Sequence, residues 1–188
     1  MPYAMETFEH FSKVHGFEVL AFDRVFSPKL HPSWNKLLAI LSGFKRGYDW
    51  VFWSDADSLY IGNTPKLDYS NEFVTWGDAN GLCMSHMLVK NTEYNRRLFE
   101  AMLVLGDVKD DSKFGKGPKW EQNALKALRQ NWDIPVAFLP PKYVGEPLFP
   151  DTLHPDNQFL HYAVMDNQKR LEMIKTEYEH RNFNNSNR

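Results

Sequence analysis

The chain has 188 residues, enough for one domain with a substantial core, and its 43% hydrophobic and 24% charged residues are those of a soluble globular protein. A net charge of −2 excludes general electrostatic capture of nucleic acid, so any nucleotide or sugar must be recognised locally. Cys83 is the single cysteine, which excludes an internal disulfide, and no apolar run approaches the roughly 20 residues that a membrane helix needs.

The N-terminus lacks the basic-then-apolar layout of a secretory leader, so a cytoplasmic location is expected. From residue 3 to 15 the apolar positions Ala4, Phe8, Phe11 and Val14 fall near helical spacing, with Gly16 set to end the helix. Residues 17–22 read as a strand. Residues 32–45 read as a helix, with Pro32 at its start, apolar Trp34, Leu37, Leu38, Leu41 and Phe44 along it, and Gly47 beyond its end. Residues 50–54 read as a buried strand, and the order helix, strand, helix, strand predicts an α/β protein.

Residues 73–76 and 83–89 follow as strands, and Asn91 is placed to cap a helix over 92–105. Residues 106–119, rich in Gly, Asp and Lys, predict a long functional loop that orders on ligand binding. A helix over 120–130, a short strand at 136–139, an irregular proline-rich stretch, a strand at 159–162 and a helix over 166–179 complete the reading. A single catalytic domain is expected over residues 1–180, with a fraying polar tail at 181–188.

The residues that carry chemistry stand at the end of the 50–54 strand. Trp50, Val51, Phe52 and Trp53 lead through Ser54 into Asp55, Ala56 and Asp57. Strand ends are where open α/β sheets hold ligands, and two carboxylates one residue apart repel each other unless a cation or donors neutralise them. Hard divalent cations take oxygen ligands and share them with substrate phosphates. The competing reading is local: Asp is common where strands turn, because its side chain bonds the backbone there.

Taken in order, Trp34, Asn35 and Lys36 opening a helix, then 50–57, then Leu88, Val89, Lys90 and Asn91, then Glu121 and Gln122, and finally His161 resemble the retaining galactosyltransferases and xyloglucan xylosyltransferases. The resemblance spans residues 3 to about 162 and implies a GT-A-like, Rossmann-like fold with a mixed, mostly parallel sheet flanked by helices. It implies that Asp55, Asp57 and His161 hold a divalent metal, that Gln122 lies near the reacting sugar carbon with Glu121 beside it, and that Lys36 meets donor phosphate. Further donor or sugar contacts are implied for Trp34, Ser54, Ala56, Trp76, Asp78, Asn80, Ser85 and His86. An imidazole ligand favours Mn²⁺, with Mg²⁺ as the alternative.

The implied reaction is metal-dependent, retaining transfer of a hexose or pentose from a UDP-sugar to an acceptor. The chain starts in the helix that follows the family's base-holding strand, which implies either a minimal version of the fold or a fragment of it, and a sheet edge open to cover by a second copy. Where the family supplies Gly and Lys after the histidine, this chain has Tyr162, Ala163, Val164, Met165 and Asp166, leaving Lys169 or Arg170 to compensate if the tail folds back.

Two other readings compete. One is a nucleotide- and metal-binding remnant without turnover. The other is a haloacid-dehalogenase-type phosphatase, which the run from Asp55 to Leu59 and the acidic run 106–111 also resemble. That family has Gly and Thr after its second acid and a strand before its later motif, and this chain has neither. Locally, His161 also reads as a core histidine, and Glu121 and Gln122 as exposed helix residues.

Overall fold

The computed structural model describes residues 2–22, 26–28, 30–62, 67, 69–78, 81–106, 120–138, 143–163 and 165–185. The chain divides into two compact units, one of Met1–Leu20, Ser54–Asp68 and Pro140–Arg188, the other of Ala21–Trp53 and Tyr69–Leu139. Among the described residues no helix is long and apolar enough to cross a membrane.

The first unit opens with α1 (Pro2–His15) and contains β2 (Ser58–Tyr60), β6 (Val144–Gly145), β7 (Phe159–His161) and α5 (Asn167–Asn185). Its sheet runs β2-β7-β6, antiparallel between β2 and β7 and parallel between β6 and β7. Ala4, Leu59, Leu160, Tyr162 and Ile174 bury one face of it. Phe11, Tyr60 and Phe159 form an aromatic cluster with ring centroids 5.0–5.6 Å apart.

The expected strand at 17–22 does not form. Gly16 adopts φ 71°, and the Phe17 amide donates to the Ser12 carbonyl at 2.9 Å, the reversed bond that closes a helix through a left-handed residue. Phe17 then stacks on Phe11 at 6.0 Å. Its apolar character belongs to the helix cap, not to a sheet.

The second unit contains α2 (Asn35–Lys45), entered through a 3₁₀ turn at Pro32–Trp34, then β1 (Trp50–Ser54), β3 (Phe73–Asp78), β4 (Gly81–Lys90), α3 (Glu93–Gly106), α4 (Glu121–Asn131) and β5 (Ala137–Phe138). Only Ser54, the last residue of β1, belongs to the first unit. Its sheet runs β1-β4-β3-β5, with β3 and β4 antiparallel and β3 and β5 parallel. The core joins Trp34, Leu37 and Ile40 of the entry turn and α2 to Met84, Met87 and Val89 of β4, Phe99 and Met102 of α3, and Leu125 of α4.

β1 is half-buried throughout, where the apolar run predicts full burial. Its aromatic side chains are covered locally instead: Tyr69 meets the Trp50 ring edge-on at 5.0 Å, and the Lys90 ammonium lies 5.9 Å from that ring. The cap of α3 is Thr92, whose hydroxyl accepts from the Asn95 amide at 3.2 Å. Asn91, expected in that role, instead donates to the carbonyls of Phe44 and Tyr48 at 3.2 and 2.7 Å and ties β4 to the end of α2.

The predicted 106–119 loop, and with it the acidic run that follows Gly106, lies outside the described residues except for Gly106, which ends α3. At the other end, α5 continues to Asn185, past the point where the tail is expected to fray. Arg181 pairs with Glu177 at 2.6 Å and donates to the Ile61 carbonyl at 3.4 Å, which holds that last turn.

Candidate functional site

Strand β1 ends at Ser54, and the chain turns at once: the Ser58 amide donates to the Asp55 carbonyl at 3.1 Å. β2 then runs antiparallel to β7 with Ser58 opposite His161, and the Tyr162 amide donates to the Asp57 carbonyl at 2.9 Å. This register brings a residue far along the chain beside the two acids. Ligand atoms of Asp55, Asp57 and His161 all lie within 4.8 Å of one another, in a set that joins two carboxylates to an imidazole. Two carboxylates and an imidazole are a donor set that fits a divalent cation.

The electrostatics are those of a site arranged around charge. Nε2 of His161 lies 3.6 Å from Asp57 Oδ1, and its Nδ1 lies 3.5 Å from Glu146 Oε1. Burial alone lowers the pKa of this histidine, but the hydrogen-bonding approach of Asp57 and Glu146 and the charges of Asp57 and Asp55 override it and push the value up to about 9. Burial likewise raises Asp57, and the hydrogen bond and charge of His161 together with the charge of Arg170 outweigh it, holding the carboxyl below its usual range.

Glu146 has no counterpart in the sequence reading. It follows β6 directly, and its backbone is fixed by Thr152, whose hydroxyl accepts from the Glu146 amide at 2.7 Å and donates to its carbonyl at 3.2 Å. A Cβ at Gly145 would lie 2.5 Å from Asn157 Oδ1, so the Asn157 side chain would have to shift to admit one. The only local signal is an acid beside a glycine in a proline-rich stretch.

In the metal-free protein the raised value of His161 has a direct consequence for stability. The folded state holds this proton more tightly than the unfolded chain, whose histidine titrates at 6.5, so the stabilisation is complete below that value and is lost as pH rises through about 9. The loss should amount to about 3 kcal/mol, read by denaturant unfolding in chelator between about pH 6 and about pH 9.5. His161→Gln should flatten that slope; an unchanged slope would exclude the protonated imidazole.

A cleft of about 690 Å³ in the same unit is lined by Leu153, Leu160, Tyr162, Met173, Glu177 and Arg181. Side chains alternate along a strand, so Leu160 and Tyr162 face away from His161, and the cleft lies on the sheet face opposite the acids.

Of the other predicted residues, Ser54 and Ala56 belong to the first unit, and Trp34, Lys36, Trp76, Asp78, Asn80, Ser85, His86, Glu121 and Gln122 to the second. Lys36 and Glu121 are 6% and 3% exposed, and Nζ of Lys36 lies 2.9 Å from Glu121 Oε1 and donates to the Met84 carbonyl at 3.2 Å. Lys36 therefore holds a carboxylate, and Glu121 sits in the first turn of α4, where the helix dipole favours negative charge. Glu121 Oε2 is buried with no hydrogen-bond partner among the described residues. Gln122 beside it is half-buried.

Ser85 and His86 are buried in an irregular part of β4, where the register with β3 jumps from Thr75–Met87 to Trp76–Cys83. The Thr75 hydroxyl spans the irregularity, 2.7 Å from the Cys83 carbonyl and 3.2 Å from that of His86, and this local distortion accompanies the Met84 carbonyl's bond to Lys36. Ser85 Oγ lies 3.0 Å from His86 Nδ1. Trp34 and Trp76 are 2% and 1% exposed. Ser54 is half-buried and Ala56 exposed. Asp78 ends β3, while its side chain and all of Asn80 lie outside the described residues.

No protein-family model matches the chain, and no curated protein matches its sequence. Solved structures do. A glycosyltransferase involved in the glycosylation of the major capsid of PBCV-1 superposes with a TM-score of 0.64 at 13% identity, over 93% of this chain and 91% of that one. The glycosyltransferase GlyE of Streptococcus pneumoniae TIGR4 matches with a TM-score of 0.58 at 17% identity, over 90% of this chain and 49% of its own. In its apo form GlyE matches at 0.52 and 16% identity, over 84% of this chain and 44% of its own. The chain thus spans about half of GlyE and nearly all of the viral protein, and its architecture is the GT-A-like glycosyltransferase fold.

Proposed function

We propose that the chain is a metal-dependent, retaining glycosyltransferase that moves a hexose or pentose from a UDP-sugar to a sugar or glycan acceptor. The observation that carries this reading is the meeting of Asp55, Asp57 and His161 on a glycosyltransferase fold. A nucleotide-sugar leaves a diphosphate behind, and a divalent cation would supply neutralisation of that charge as the glycosidic bond breaks. Asp55, Asp57 and His161 would hold the cation, and Mn²⁺ suits the imidazole better than Mg²⁺.

Retention without a dedicated nucleophile follows if the acceptor attacks from the face the diphosphate leaves and the departing phosphate takes its proton. In this reading Gln122 stabilises charge on the sugar. The buried Lys36–Glu121 pair fixes the first turn of α4 from which Gln122 projects, and the second carboxylate oxygen of Glu121 remains for a sugar hydroxyl. Ser54 and Ala56, beside the two acids, are further proposed donor contacts.

Calorimetric titration with UDP and GDP, with and without Mn²⁺, tests the reading. Binding should require the metal, and metal-independent binding would overturn it. Hydrolysis of a UDP-sugar panel then divides enzyme from binder. Gln122→Ala should leave donor affinity nearly intact and lower kcat by about 100-fold, the loss typical of one transition-state donor. An equal loss in affinity and turnover would contradict that role.

A further inference from the structure

We infer that Arg170 makes cation binding at Asp55, Asp57 and His161 conditional on an accompanying oxyanion of the diphosphate type; the inference rests on the metal site proposed above. Helix α5 folds back so that Arg170 NH1 lies 3.4 Å from Asp57 Oδ2. Its NH2 donates to the Met165 carbonyl at 3.0 Å, which anchors the guanidinium against the turn before α5. The side chain is 20% exposed, and its buried Nε has no hydrogen-bond partner among the described residues. Of the three guanidinium nitrogens, NH1 thus faces the Asp57 carboxylate and NH2 donates to the backbone, while Nε is left without a hydrogen bond among the described residues.

A guanidinium keeps its charge at any relevant pH, so it cannot step aside by losing a proton. A divalent cation alone must share Asp57 with this positive charge and is repelled by it. Once an oxyanion accompanies the cation, the balance reverses, because guanidinium and phosphate form charge-assisted, planar hydrogen bonds. Arg170 therefore opposes the bare ion and favours the ion with its anion. By thermodynamic reciprocity each of the two ligands tightens the other.

The experiment measures Mn²⁺ alone, and a preformed Mn²⁺–pyrophosphate complex, by counting free Mn²⁺ in paramagnetic resonance and by calorimetry. Arg170→Gln should bind Mn²⁺ alone about 5–10-fold more tightly than the parent and the pyrophosphate complex about 10-fold more weakly, while Arg170→Lys should fall between. These opposite shifts separate coupling from a structural role, which would weaken both ligands alike. Parallel weakening, or no change in either, overturns the role of Arg170 while leaving the metal site standing. Failure of the parent to bind Mn²⁺ in either form overturns the site and the inference together.

Discussion

Replacing Lys36 by Met should destabilise the folded chain by about 3–5 kcal/mol, the usual penalty for stripping one partner from a buried ion pair. The side chains of Lys36 and Glu121 are 7% and 4% exposed, so the carboxylate left behind has no water to turn to. The Met84 carbonyl loses its donor as well. The loss is mainly that of an abandoned charge, so the double variant Lys36→Met with Glu121→Leu should recover most of it. Denaturant unfolding of the parent, both single variants and the double variant measures the coupling. A single-variant loss below about 1 kcal/mol would mean that the pair is solvated.

Removal of Asp57 should have the largest effect on binding. Asp57→Ala deletes a proposed metal ligand, the ion-pair partner of His161 and the carboxylate facing Arg170 in one step. Mn²⁺-supported nucleotide affinity should fall by more than about 100-fold, beyond the 10–100-fold that follows loss of an outer partner of a metal ligand. Circular dichroism should report an intact fold. Unchanged affinity in a folded variant would exclude this metal site outright.

Much of this arrangement is legible in the sequence where the signals are local. The helices α2, α3 and α4 carry apolar stripes with stop signals, and the paired acids stand at the end of a run of aromatic residues. Three-residue β2 and two-residue β6 are too short to show a period, and the proline-rich stretch hides β6 altogether. Phe17 shows how one apolar residue can belong to a helix cap and still look like the start of a strand. Partners joined only by the fold leave no spacing to read. Glu146 meets His161, Lys36 meets Glu121 and Arg170 meets Asp57 through tertiary contacts that no window of neighbouring residues contains. His161 stands out only as the last member of an ordered pattern over most of the chain, not through its immediate surroundings.

The pairing of Ser58 with His161 carries a consequence for how this chain tolerates change. Faces of a strand interchange with every residue, so sliding β7 along β2 by a single position would offer Leu160 or Tyr162 to the acids and turn the imidazole toward the packed side. The centre is therefore encoded by length as much as by identity. An insertion or deletion between Asp57 and Tyr60 threatens it even when Asp55, Asp57 and His161 are all retained, whereas substitutions at Leu59 that keep its bulk do not.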